Sequence, residues 1–347
     1  MEIETLIIIV TYNSEDFIEN CLKSVAASSY RKWFLAVIDN NSIDNTIKKI
    51  KEFKNSYVEV SPRNFKLIKL KKNIGFSAAV NNAIFNFIPK KKKKLLKHIK
   101  YLILINPDLY LFKNTLSNLI LPFELREHTK DLKEIGVVGG LILDYSKDII
   151  QHAGGKVKSN LITEHINYGK KFSGFSDSNY NMVKKLTKGD NKKNGTKVLK
   201  EVDYITGALF ATDFTIFSKV GGLDTGYRPA YYEELDYCIK LKKIEKKIMV
   251  SHNAISRHFE GASVKKFSKN FYKFYHKNRL RCVVINFGFL YFFKEFLSEE
   301  LRWIKSSATR DQKSALAYAY FINFIFLPYN LIVKIKNYFI LQKLRLK

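Results

Sequence analysis

The chain has 347 residues, with 60 Lys and Arg against 32 Asp and Glu and a formal net charge of +28. A hydrophobic fraction of 46%, with 14% aromatics, is enough for one large or two smaller packed domains and excludes a wholly disordered chain. The charge excess points to an anionic partner (nucleic acid, an anionic membrane surface or a phosphate-bearing small molecule) or to a general lysine bias in a Lys-, Ile-, Asn- and Phe-rich vocabulary. Cys21, Cys238 and Cys282 lie far apart with no C-x-x-C pair. That excludes a disulfide scaffold, argues against a Cys-rich zinc site and fits a reducing compartment. The start carries Glu2, Glu4 and only a short apolar run, Leu6 to Val10, so no secretory signal is expected.

In chain order, Thr5–Thr11 reads as a fully buried strand, and Ser14 as the cap of a helix with Phe17, Ile18, Cys21, Leu22 and Val25 on one face. Trp33–Ile38 is the next strand, with a short helix from Asp44. Phe65–Leu70, Ser77–Phe87 and Tyr101–Ile105 continue as strand, helix, strand. Continuous apolar strands separated by helices imply a parallel sheet covered on both faces, with ligands beyond the carboxyl ends of the strands. Lys90–Lys94 and the polar stretch Lys156–Lys200 read first as solvated loops or insertions. After Glu201 come two short strands, a helix ending at Gly221-Gly222, a helix from about Tyr232, a strand near Ile248 and a short strand Ala254–Ser256. Beyond Ser263 the chain turns to Lys-, Phe- and Tyr-rich helices.

Four strand ends carry the chemistry. The first is Thr11-Tyr12-Asn13, and the second Asp39-Asn40-Asn41-Ser42 with Asp44 beyond. Asp39 and Asp44 suit either acceptors for a ribose or base edge, or turn and helix-cap residues. In the third, Asn73-Ile74-Gly75-Phe76-Ser77, the glycine lets backbone amides at a helix start approach a ligand. The fourth is Asn106-Pro107-Asp108, where Asp108 suits either a divalent cation or a Pro-containing turn.

In this order the four motifs resemble the donor-binding half of a family 2 glycosyltransferase with the GT-A fold, most like the rhamnosyltransferase-type branch, where Asn-Pro-Asp stands in for Asp-x-Asp. Thr206-Gly207-Ala208, Gly221-Gly222-Leu223-Asp224, Tyr231-Tyr232-Glu233-Glu234-Leu235-Asp236 and His258-Phe259-Glu260-Gly261-Ala262-Ser263 are similar to the family's small-residue strand, G-G-F-D turn, E-D-x-D acceptor motif and late H-x-x-G-x-S. The resemblance covers residues 5 to about 285. Two departures stand out: Glu234 where the family more often has Asp, and Lys240 where Arg is common.

The resemblance implies an α/β, GT-A nucleotide-diphosphate-sugar-binding fold with a mostly parallel central sheet and a helical C-terminal extension. It divides into residues 1–263 (a donor half, 1–110, and a metal and acceptor half, 111–263) and residues 264–347. It implies inverting transfer from a dTDP- or UDP-sugar to a hydroxyl of a glycan or lipid-linked acceptor in polysaccharide or glycoconjugate synthesis. Donor contacts fall to Thr11, Tyr12, Asn13, Asp39, Asn41, Asn73, Gly75, Phe76 and Asn106, and acceptor contacts to Gly207, Tyr232 and Glu233. Asp108 and His258 would hold Mg²⁺ or Mn²⁺, and Glu234 or Asp236 would act as base, a choice the motif leaves open. For the Glu233–Asp236 cluster the bland reading is an acidic helix start favoured by the helix dipole, and for His258 a core histidine.

Residues 314–333 carry no formal charge and are long enough to span a bilayer. Asn323, Pro328 and Asn330 argue against a simple span, and lysines flank both ends. Aromatic richness with basic flanks suits a peripheral or monotopic helix on the inner face of an anionic cell membrane, facing the cytoplasm. A helix packed in the protein and a true span are the alternatives. Competing functions fit poorly: no G-x-G-x-x-G follows the first strand, no G-x-G-T-R start exists, and a nucleic-acid binder would interleave aromatics and basic residues on an exposed sheet. No nucleic-acid partner is expected.

Overall fold

The structure, a computed structural model, describes residues 2–57, 63–89, 95–126, 128–129, 132–172, 198–259 and 268–346. The lysine run 90–94, most of the 156–200 stretch and Glu260 to Ser263 lie outside the described residues.

The apolar runs form the strands that their patterns predict. β1 (Thr5–Thr11), β2 (Trp33–Asp39), β3 (Phe65–Lys69) and β4 (Tyr101–Ile105) pair in parallel in the order β4-β1-β2-β3. Alternate β1 side chains serve two cores: Leu6, Ile8 and Val10 face one, Ile7 and Ile9 the other. Both faces are covered, by α1 (Ile18–Ala26) and α2 (Thr46–Ser56) on one side and α3 (Phe76–Asn82) on the other. Each fully buried Leu or Ile contributes about 1.5–3 kcal/mol relative to exposure, so this double burial fixes the register.

β5 (Leu109–Leu111), β6 (Ile135–Asp144), β7 (Ile150–His152), α4 (Thr115–Leu125) and the hairpin of β8 (Gly155–Val157) and β9 (Thr163–His165) follow. Then come β10 (Leu199–Glu201), β11 (Leu209–Asp213), α5 (Phe214–Val220), α6 (Glu233–Lys243) and β12 (Lys247–His258). The main sheet has ten strands along the path β10-β12-β6-β11-β4-β1-β2-β3, with β5 on β12 and β7 on β6. β11 runs antiparallel to both neighbours, while β12 and β6 are parallel.

Three local expectations change. Ser14 does not cap α1 through its side chain: its carbonyl accepts from Phe17 and Ile18, while its amide donates to Thr46 Oγ1 at 2.7 Å. The predicted helix Ser77–Phe87 is α3 followed by one π turn, Ala83–Phe87. The separate strands near Ile248 and at Ala254–Ser256 are one strand, β12. A register shift between Ser251 and Ile255 absorbs the polar His252-Asn253 that breaks the apolar pattern.

The C-terminal helices α7 (Lys269–Asn286), α8 (Leu297–Ser306), α9 (Arg310–Ile325) and α10 (Leu327–Arg345) put Leu280, Val283, Trp303, Ala319 and Leu341 into the same core as the sheet. Arg279 of α7 and Glu300 of α8 form a fully buried two-pronged ion pair (2.8 and 2.6 Å), with Asn160 donating to the same carboxylate at 3.0 Å. The uncharged run 314–333 is divided between α9 and α10, which bend by 71°. No single helix among the described residues is long and apolar enough to cross a membrane.

Candidate active site

The carboxyl ends of β1, β2 and β3 close into one hydrogen-bonded ridge. Asp39, 1% exposed, accepts from Thr11 Oγ1 at 3.3 Å and from the Ser42 amide at 3.2 Å. Asn13 and Asn41 take positive φ values of 48° and 71°, a conformation asparagine tolerates better than most residues. Asn13 knits the two loops by donating its amide to Ser42 Oγ and accepting from the Ile43 amide, both at 3.0 Å. Asn40 links onward to Asn73 (2.9 Å) and the Ile74 amide (2.9 Å). Gly75, at φ +83°, opens α3 before Phe76. Tyr12 is half exposed beside this ridge. Asp44 accepts from the Glu15 and Thr46 amides, which hold its carboxyl below the usual range against the effect of burial. It is a turn residue.

Asn106, Pro107 and Asp108 leave β4, and β5 immediately pairs antiparallel with β12 so that Leu109 faces His258. That pairing brings Asp108 Oδ1 to 3.2 Å from His258 Nε2 across 150 residues of sequence. Gln151 of β7 clamps the histidine twice: its amide donates to the His258 carbonyl, and its Oε1 lies 3.1 Å from Nδ1. With Nδ1–H donated to Gln151, the Nε2 lone pair faces the Asp108 carboxylate. Two acceptors at that distance call for a proton or a cation between them. Among the described residues no group of three or more His, Cys, Asp or Glu is gathered for a metal. One carboxylate and one imidazole, completed by substrate oxygens, still fit Mg²⁺ or Mn²⁺.

The acidic turn reaches the residues just before β11, which border the same end of β4. The Asn106 amide donates to the Ala208 carbonyl at 2.9 Å, so Gly207 lies beside the end of β4. The Gly207 amide donates to the Glu234 carboxylate, and a Cβ on Gly207 would fall 1.8 Å from Glu234 Oε1. Glycine is required there for close approach rather than for φ. Burial pushes the Glu234 carboxyl up to about 7, opposed in part by amide hydrogen bonds. Glu233 is 2% exposed and its Oε2 has no hydrogen-bond partner. Burial, with the Glu234 charge beside it, raises its carboxyl well above the ordinary range.

Asp236 is differently placed. It is fully buried, accepts from Asn286 Nδ2 at 2.6 Å and pairs with Lys240 at 2.7 Å. One carboxylate oxygen is hydrogen-bonded to Asn286 and the other faces the Lys240 ammonium. The turn before α6 holds two consecutive tyrosines, Tyr231 and Tyr232, at φ +82° and +79°, a backbone cost of order 1–3 kcal/mol each. Asn278 of α7 offsets it by donating to the Ala230 and Tyr231 carbonyls (2.8 and 3.0 Å), and Tyr232 donates its hydroxyl to the Leu161 carbonyl at 2.7 Å. Asp224 of the G-G-L-D turn receives two hydrogen bonds from Arg281, at 3.0 and 2.8 Å.

Sequence reasoning missed Gln151, Asn278, Arg281 and Asn286. None sits in a motif, and each reaches the site through a partner at least 47 residues away.

The model of glycosyl transferase family 2 matches residues 6–132. No curated protein matches the chain. Among solved structures, the chain superposes on GalNAc-T7 crystallised with UDP, GalNAc and Mn²⁺ with a TM-score of 0.58 at 17% identity, over 82% of this chain and 48% of that one. It superposes on S. aureus TarS 1-349 in complex with UDP-GlcNAc with a TM-score of 0.54 at 15% identity, over 97% and 89%. Against the longer S. aureus TarS structure the values are 0.52, 13%, 91% and 48%. The chain thus spans about half the length of the GalNAc-T7 and longer TarS chains it matches. These likenesses establish the GT-A fold.

Proposed function

We propose, from the match of residues 6–132 to the model of glycosyl transferase family 2, that the chain is an inverting, metal-dependent hexosyltransferase. Its donor is a nucleoside diphosphate sugar, UDP- or dTDP-linked. Its acceptor is a hydroxyl of a glycan or lipid-linked glycan in cell-surface polysaccharide or glycoconjugate synthesis. The Asn106-Pro107-Asp108 motif supports a rhamnosyltransferase-like branch. The UDP and UDP-GlcNAc complexes of GalNAc-T7 and TarS, and the Mn²⁺ of the former, support a nucleotide-sugar donor and a divalent cation.

The observation that carries the proposal is the half-buried Glu234 carboxylate, raised to about 7, at the start of α6 against Gly207, whose neighbour Ala208 is hydrogen-bonded to the Asn106-Pro107-Asp108 end of β4. A base with that affinity takes a proton from an acceptor hydroxyl near neutral pH. The acceptor oxygen forms its bond to the anomeric carbon as the bond to the diphosphate breaks. The proton goes to Glu234 and the electron pair leaves with the phosphate oxygen. Asp108 and His258 would hold a Mg²⁺ or Mn²⁺ ion, which would supply positive charge for the leaving diphosphate. Glu233, keeping its proton, offers an O–H donor to the acceptor, and Asp39 with Thr11 and Asn13 accepts from the ribose or base edge. Asp236 holds the helix start in place.

A panel of UDP-, dTDP- and GDP-sugars, assayed with Mn²⁺ or Mg²⁺ for nucleotide release and transfer, tests the proposal. Turnover with one nucleotide class, abolished by chelator and by Asp108→Ala, is the expected result. No nucleotide release from any donor, together with tight salt-sensitive DNA binding, would replace the enzyme with a polyanion binder.

A further inference from the structure

Helices α9 and α10 carry their polarity the wrong way round for a helix pair facing water. Their central polar side chains point inward. Asn323 donates to the Lys277 and Ala319 carbonyls, both at 2.9 Å, Asn330 donates to Asn323 Oδ1 at 3.4 Å, and Arg281 of α7 donates to Asn330 Oδ1. Their apolar side chains point outward: Phe321 is 63% exposed, Phe324 76% and Ile332 65%, with Phe326, Tyr338 and Phe339 more than half exposed beside them. A contiguous apolar surface of this kind on a folded chain marks a docking site.

Charge identifies what docks. From Gln312 to Leu346 the sequence contains no Asp or Glu, and Lys313, Lys336 and Lys343 on this pair are exposed. A second copy using the same face would set this basic rim against itself. An anionic lipid surface offers acyl chains to the phenylalanines and phosphates to the lysines. The 71° bend and the asparagines tied to α7 suit a pair lying in the interface rather than crossing it.

We infer that α9 and α10 form a monotopic docking face for an anionic lipid bilayer. The inference stands independently of the transfer reaction, although the two are joined in the fold. Arg281, which holds Asn330, also holds Asp224, and α7 further supplies Asn278 and Asn286 to the turn and helix that carry Glu233 and Glu234. Docking on this face therefore fixes the acceptor turn relative to the lipid surface.

Vesicle flotation of the full chain tests this, with phosphatidylcholine alone and with added phosphatidylglycerol at physiological salt. The expected result is co-flotation with the anionic vesicles. Phe321→Asp/Phe324→Asp should lower partitioning at least about tenfold with unchanged circular dichroism and melting. Lys313→Glu/Lys336→Glu should remove the preference for phosphatidylglycerol. A full chain that stays in the bottom fraction overturns the inference, as does undiminished flotation of the Phe321→Asp/Phe324→Asp variant. A dimer seen by light scattering, and dispersed by Phe324→Asp without any vesicle binding, assigns the face to a second copy instead.

Discussion

The Gly207 amide donates to the Glu234 carboxylate at an approach so close that a Cβ on Gly207 would sit 1.8 Å from Glu234 Oε1. Gly207 thereby sets the position of the proposed base. Gly207→Ala should displace that carboxylate and cut transfer about 100-fold, the usual scale for a misplacement near 1 Å. Donor affinity should hold, because the strand ends around Asp39 are untouched. Steady-state kinetics and donor titration calorimetry separate the two effects.

As the proposed base, Glu234 should give the reaction its pH dependence. The base acts ionised, and burial raises its carboxyl to about 7, so turnover should rise as pH increases through about 7. Glu234→Gln should show almost no transfer at any pH while binding donor. Stability has the opposite sign. Burial penalises the charged form, so the cost is absent below the ordinary value of 4.5 and complete above about 7. Glu234→Gln should therefore raise the melting temperature at pH 8 and leave it nearly unchanged at pH 4.

Gln151 should matter to metal affinity although it touches no metal. It holds the His258 ring and carbonyl together, which fixes the tautomer facing Asp108. Asp108→Ala and His258→Ala should abolish Mn²⁺-dependent donor binding. Gln151→Leu should weaken it about 10- to 100-fold, the common effect of removing a residue that orients a ligand. Electron paramagnetic resonance titration of Mn²⁺ with a nucleoside diphosphate present reads all three.

Arg279 and Glu300 tie the C-terminal helices to the rest of the core. Removing one charge strands the other, unpaired, in a fully buried site. Glu300→Ala should cost about 3–5 kcal/mol, read from urea denaturation. Replacing both partners with apolar residues should cost much less than that single change.

The local elements were legible in the sequence because their signals are local. Thr5–Thr11, Trp33–Ile38 and Tyr101–Ile105 are continuous apolar runs, and the structure returns them as strands with at most one residue of difference. Gly221 ends its helix at φ +90°, as a glycine after an apolar-periodic segment should. β12 was harder, since its bulge lets His252 and Asn253 interrupt the pattern without ending the strand.

The sequence by itself determined the order of the strands and helices from β1 to β4, the strand-end positions of Asp39 and Asp108 and the acidic run from Glu233 to Asp236. Each depends on neighbours a few residues apart. Only the tertiary structure decided which partners those groups meet. β5 pairing with β12 brings Asp108 to His258, Asn286 and Lys240 occupy Asp236, and Gly207 receives Glu234. The same holds for residues 314–333, whose uncharged composition is equal for a span, a core helix and an interfacial pair. Asn323 and Asn330 turn inward because α7 supplies their hydrogen-bond partners, and the phenylalanines are left facing out. Burial and pairing are properties of segments distant in sequence, and no local pattern encodes which oxygen, amide or ring will be waiting on the other side.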